Sequence, residues 1–473
     1  MKKGYLAMRF SNILKNISYS LIANLFSLCV SVFMVSFVPK FLSINDYGIW
    51  QLFLFYYSYI GFFAFGLEDG IYLRYAGKNF NELDSKTMSG QYYIDLVFQV
   101  LISIAVTFYC GFFISDPAKR MALTCAIWLS PLAHLYGLSS IILQITNRIK
   151  NYAVMVFTER FVLFSVVCVL LYLGLNQFKY FYIAQCLSIT TIAFIAAYYC
   201  RMFLVPRFYS LSETLCEAWR NIKVGIKLLC ANISGMLMIG IVRYGISVGW
   251  NVATFGKVSL TLGISNFMMV FINALSVVFF PILKRMDETQ RSDTYIKIRA
   301  LLSLVLYTAL FGYYPLKLIL TWWLPKYRDS LVYMTILFPM CFFESKMGLL
   351  INTYLKSMRK ETLMFAINTG CVVLSAITTF FTVGCLKNLN LTVLSIVCIS
   401  AIRCLIAEYL LQNMLQISLL KGMITDVVIA VIFIVSGWYL KLQIAFLVYG
   451  IVYLLFVLTN WKKYKNLIQI MRS

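Results

Sequence analysis

The chain has 473 residues, 61% of them hydrophobic and only 12% charged. No water-soluble domain of this size needs so much apolar material to fill one core, so the bilayer is the solvent. The net charge of +23 is spread through an apolar chain, which argues against nucleic-acid binding, where charge gathers on a basic face with polar surroundings.

A hydrocarbon layer about 30 Å thick takes about 20 apolar residues per helix, and such runs recur along the chain. In order, the predicted spans are 13–38, 49–73, 91–114, 121–145, 151–173 and 180–204, then 224–248, 257–283, 299–324, 330–353, 362–385, 391–415, 423–440 and 442–460. The first follows a basic stretch but is too long for a signal core of about 7 to 15 residues, so it reads as an uncleaved helix. Only Lys441 separates the last two. The expected fold is all-α, a polytopic membrane protein of about fourteen transmembrane helices.

Lysine and arginine set the orientation, because basic loops stay in the cytoplasm. Alternate loops carry 26 basic residues on one side and nine on the other. Both termini fall on the richer, cytoplasmic side, and the charge is explained as topogenic.

At an offset of 208 residues, Ala23-Asn24 falls on Ala231-Asn232, Tyr47 on Phe255 and Gly48 on Gly256. Six spans separate the copies, so the repeat is parallel, with two six-helix lobes related by a pseudo-twofold along the membrane normal. The expected divisions are an N-terminal lobe at 1–205, a cytoplasmic linker at 206–223, a C-terminal lobe at 224–415, and two extra helices with a basic tail at 416–473. Leu211, Leu215 and Trp219 recur every fourth residue in the linker, which reads either as an amphipathic surface helix or as a plain connection.

Thirteen cysteines lie mostly singly in apolar runs, with no CxxC pair and one histidine, His134. Disulfide and metal readings therefore fail, and His134 reads as a packing residue. No phosphate loop or catalytic constellation occurs, so a carrier is expected rather than an enzyme.

Intramembrane polar residues mark pathways or helix contacts. Asn24 and Asn232 lie at matching depths, and Asn266 and Asn273 share one helical face; cavity and packing both remain open for them. Glu68, Asp69 and Arg74 end the second span. Arg160 adjoins Glu159, and Arg243 is either a functional cation or a snorkelling one. Lys346 with Glu344 and Arg403 with Glu408 read as buried pairs.

Asp46-Tyr47-Gly48, Phe65-Gly66-Leu67-Glu68-Asp69-Gly70 with Arg74, Arg243, and Phe280-Pro281-Ile282-Leu283-Lys284-Arg285 together resemble the polysaccharide-transport branch of the multidrug/oligosaccharidyl-lipid/polysaccharide exporter superfamily, the Wzx-type O-antigen flippases. Val242 stands where that family often carries an acidic residue beside the arginine. The resemblance implies translocation of an undecaprenyl-diphosphate-linked oligosaccharide from the cytoplasmic to the periplasmic leaflet of a bacterial inner membrane. It further implies two lobes that rock around a cavity lined by helices 1, 2, 7 and 8, where Asn24, Arg74, Asn232, Arg243, Asn266 and Asn273 would contact substrate. Glu68 or Asp69 would bind a coupling proton or sodium ion, with no other cofactor. A polysaccharide polymerase and a chain-length regulator are the expected partners beside the bilayer. A cation-coupled drug exporter or a peptidoglycan-precursor flippase of the same superfamily is the alternative. A membrane glycan polymerase fits less well, because every outer loop is short.

Overall fold

The computed structural model describes the backbone of residues 2–207, 209–266 and 288–461, and the side chains of 18–207, 209–266 and 292–461. Among these residues the only regular secondary structure is helical. Among the described residues eleven helices are long and apolar enough to cross a membrane, and two bent pairs bring the number to as many as 13. The expected eighth span, 257–283, runs beyond the described residues, as do Asn273 and the Phe280–Arg285 motif. The chain is a multi-pass membrane protein. It divides into two compact units, Met1–Ile233 and Ser234–Ser473.

In the first unit we label α1 (Lys2–Ser36), α2 (Ile44–Tyr57), α3 (Leu67–Tyr75), α4 (Ser85–Phe113), α5 (Pro117–Trp128), α6 (Ser130–Ile145), α7 (Ile149–Tyr172) and α8 (Phe178–Tyr199). A further helix, α9 (Leu211–Gly249), begins in this unit and continues past its end. Residues 211–223, expected as linker, are therefore the opening turns of a long helix. Leu211, Leu215 and Trp219 are exposed along it, as an apolar stripe facing lipid would be.

The second span is broken. A 3₁₀ turn at Ile60–Ala64 leads into Phe65 (φ 49°) and Gly66 (φ 87°), and the axis bends by 55° before α3. Behind the bend, α3 crosses α9 at backbone contact. A Cβ on Gly70 would sit 2.0 Å from the carbonyl oxygen of Asn221, and one on Gly225 would sit 2.0 Å from that of Gly66. Only glycine admits so close an approach. The glycines of the Phe65–Gly70 motif thus fix where Glu68 and Asp69 stand.

Asp46 has an equally local reason. Its backbone amide donates to the Ser43 hydroxyl at 3.0 Å, and its Oδ1 accepts the amide of Phe178 at 3.0 Å, which ties the start of α2 to the start of α8. The same capped turn recurs 208 residues later, where Asn251 Oδ1 accepts the Thr254 amide at 2.8 Å as the helical stretch 252–266 begins. Tyr47 and Phe255, the aromatic residues at matching positions, are both buried. A side-chain cap of this kind satisfies an amide that helix geometry leaves open.

In the second unit the helices are α10 (Glu288–Leu310), α11 (Tyr313–Trp323), α12 (Tyr333–Lys346), α13 (Glu361–Thr379), α14 (Leu389–Leu415), α15 (Leu420–Tyr439) and α16 (Leu442–Thr459). The span that contains α12 is 89% buried and so forms the centre of the unit. The last two spans are separate helices, broken at Leu440-Lys441. Tyr314, Phe433, Phe446 and Tyr449 interlock edge-to-face between α11, α15 and α16, an arrangement worth more than area burial alone.

Candidate functional site

The first unit holds a cluster that the sequence did not announce. His134 on α6, Asp95 on α4 and Glu68 on α3 converge, with the histidine Nδ1 3.3 Å from Asp95 Oδ2 and 3.6 Å from Glu68 Oε1. On its other side, His134 Nε2 lies 3.2 Å from the carbonyl oxygen of Ile60 in the broken span. Asp95 is itself held, because Gln99 Nε2 donates to its Oδ1 at 3.1 Å while the Ser130 hydroxyl donates to Gln99 Oε1 at 2.6 Å. Gly137, one turn along from His134, leaves space for Glu68: a Cβ there would sit 2.7 Å from Glu68 Oε1.

Asp95 also lines a cavity of about 610 Å³ within this unit, together with Phe65, Leu67, Trp219, Lys223 and Ile226. Of the three residues Asp95 alone borders this cavity, whose walls are mostly apolar, and it stays buried with His134. Reading His134 as packing overlooked its two partners, which lie 66 and 39 positions earlier. Asp95 was the available signal: an acidic residue inside an apolar span is costly and points to a site.

Asp69 follows Glu68 on α3 and is partly buried. Arg74, at the end of α3, is occupied by α9: its guanidinium pairs with Glu217 at 2.7 Å and donates to Asn221. The Tyr75 hydroxyl donates to the same Glu217 at 2.9 Å. These contacts lock the C-terminal end of α3 and make Arg74 a latch. Asn24 and Asn232 are both exposed, and Asn24 donates to Ser20 at 3.3 Å. Arg160 lies 4.0 Å from Glu159, a local charge compensation.

In the second unit Arg243 is half-buried, donates to the Ser259 hydroxyl at 3.1 Å and stacks 5.4 Å from the ring centre of Phe255. Asn266 is exposed. The expected charge pairs exchange partners. Lys346 pairs with Glu408 at 2.7 Å and with Asp426, while Arg403 pairs with Glu344 at 3.5 Å. The reason is helical geometry: residues two or five apart on one helix point to different sides. Arg299, at the start of the predicted span 299–324, completes the group by pairing with Glu408 and Asp426, each at 2.7 Å. Two cations and two carboxylates thus balance inside the second unit. Gly422 makes room for them, since a Cβ there would sit 2.4 Å from Arg299 Nη1.

No family model and no curated protein matches the sequence. Solved structures do. The chain is similar to an inward-facing multidrug resistance MATE family transporter of the MOP superfamily, with a TM-score of 0.67 and 12% identity over 85% of this chain and 97% of that one. It is also similar to the lipid II flippase MurJ in an inward closed conformation, with a TM-score of 0.59 and 14% identity over 95% of this chain and all of that one. The fold is that of MOP superfamily transporters. These neighbours are transporters and flippases, not enzymes. The unmatched 5% of this chain is about 24 residues, fewer than the 54 from Leu420 to Ser473, so the match to the flippase cannot leave out the whole C-terminal pair.

Proposed function

We propose that this protein is a flippase for a polyprenyl-diphosphate-linked oligosaccharide, of the kind built on undecaprenyl diphosphate for O-antigen or a similar surface glycan. It would carry its substrate from the cytoplasmic to the periplasmic leaflet of a bacterial inner membrane by alternating access. The supporting observation is the fold shared with a lipid II flippase along nearly the whole chain. The physical need is plain, because a diphosphate and a glycan cannot enter hydrocarbon without partners for their charges and hydroxyls.

The polar residues left accessible in each unit supply such partners. Asn24 and Asn232 in the first and Arg243 and Asn266 in the second offer neutral and charge-assisted hydrogen bonds to hydroxyls and phosphate. Asn273 belongs to this set by its spacing from Asn266. Arg74, Arg160, Lys346 and Arg403 are ion-paired and act as structural charges in this reading. Both termini lie in the cytoplasm, as the basic loops require, and a polymerase and chain-length regulator would receive the product.

A cation-coupled exporter is the competing reading, favoured by the higher TM-score of the multidrug transporter. Complementation separates the two. Expression in a flippase-deficient strain that makes a defined lipid-linked glycan should restore surface display and leave drug susceptibility unchanged. Raised drug resistance with no restored display would support the exporter.

A further inference from the structure

The chain has a single histidine, and its surroundings decide its charge. The Ile60 carbonyl oxygen beside Nε2 has no proton to give, so the ring nitrogen is the donor in that contact. In a neutral imidazole Nδ1 would then be a bare lone pair. Yet Nδ1 is the atom that faces Asp95 and Glu68, with no hydrogen bond of its own. Asp95 and His134 are 4% and 2% exposed, so water does not screen the encounter.

The remaining neighbours do not relieve it. Asp69 on α3 adds negative charge, and the Tyr92 hydroxyl on α4 is engaged with Ser139 at 2.8 Å. Lys223 on α9 lines the same cavity as Asp95, but its side chain is exposed, and Arg74 is held by Glu217. Among the described residues no lysine or arginine pairs with Glu68 or Asp95. Two carboxylates and a lone pair thus converge without a cation between them.

We propose that Glu68, Asp95 and His134 form a proton-binding site in which Nδ1 of His134 carries a proton shared between the two carboxylates. A divalent ion with bonds of about 2.1 Å would hold its ligand atoms about 3 to 3.4 Å apart; two of the separations here are 3.3 and 3.6 Å and the three atoms lie within 4.8 Å of one another, so Zn²⁺ is the competing occupant. Asp95 borders an apolar cavity, and Gly137 lets Glu68 reach the ring. When the proton leaves, the carboxylates face a lone pair and each other. Glu68, the more accessible of the two acids, lies on the helix that follows the Phe65-Gly66 break, so proton loss would favour movement of α3 away from α6.

The site stands without the flippase reading, because its test reads the charge of one ring and not transport. Full-length protein labelled with ring-¹⁵N histidine, purified without a polyhistidine tag and placed in lipid nanodiscs at pH 7.5, gives imidazole signals from His134 alone. Both nitrogens should be protonated in the parent, against about one ring in ten for an ordinary histidine at this pH. Glu68→Gln with Asp95→Asn should convert the ring to the neutral Nε2–H form. If the double variant fails to fold, Glu68→Gln alone should lower the protonated fraction measurably. A neutral ring in the parent would overturn the proposal. So would a shift of Nδ1 on adding one equivalent of Zn²⁺ that Glu68→Gln abolishes, which would make this a metal site.

Discussion

Lys346 donates to Glu408 at 2.7 Å with both side chains sealed from solvent. The pair lies within the charge-balanced group that Arg299 and Asp426 complete, so removal of any single member leaves an uncompensated buried charge. Lys346→Met should lower stability by about 3–5 kcal/mol, read as loss of thermal unfolding midpoint in detergent. Lys346→Met combined with Glu408→Gln removes one charge of each sign and should recover part of that loss. Equal destabilisation by the single and double variants would show that the four groups do not act as one network.

The crossing of α3 and α9 makes a steric prediction. Gly70→Ala and Gly225→Ala each place a methyl group 2.0 Å from a backbone oxygen, and backbone has to shift to accept it. Overpacking of this kind costs about 1–3 kcal/mol or more. Gly111→Ala, with open space around its Cβ, is the control and should unfold like the parent. The comparison can be made by fluorescence-detected thermal stability.

Asp84 caps α4 and gives a pH signature. Partial burial pushes its carboxyl up, but the Thr87 hydroxyl and the amides of Thr87 and Lys86 donate to it and leave it below the ordinary carboxylate range. A depressed carboxyl contributes stability that is fully present above the unfolded value, about 3.9, and is lost as pH falls through its folded value. Asp84→Ala should cost about 0.5–2 kcal/mol at pH 7, and the difference from the parent should shrink in acid. A difference constant down to pH 3 would contradict the capping role.

Arg243 is the cation proposed to meet the diphosphate. Arg243→Ala should reduce surface-glycan display at least about tenfold, the scale of one lost charge-assisted hydrogen bond, with membrane abundance unchanged. Normal display at unchanged abundance would remove Arg243 from the substrate path.

Much of this molecule can be read from its residues in order. Apolar runs of bilayer length locate the helices because hydrocarbon leaves the backbone no other partners. The 208-residue offset meets a repeated capped turn at Ser43 and Asn251 because capping is local chemistry. Pairings between helices are not local. Nothing in the spacing of Lys346, Glu408 and Asp426 brings them together, so neighbours along the chain stood in for the true partners. The neighbours of His134 are hidden for the same reason, since Asp95 and Glu68 come from two other helices. The glycines of the Phe65–Gly70 motif lie between these cases: their presence was visible, while their purpose needed the backbone of α9.

Transfer of a lipid-linked glycan between leaflets is the activity proposed for this protein. Purified protein reconstituted into vesicles with undecaprenyl-diphosphate oligosaccharide, labelled on the sugar and accessible to a membrane-impermeant enzyme, tests it most directly. Inner-leaflet label should become accessible only in vesicles that contain the protein, and more slowly with Arg243→Ala. Accessibility that matches protein-free vesicles, from a preparation shown to be folded, would contradict it.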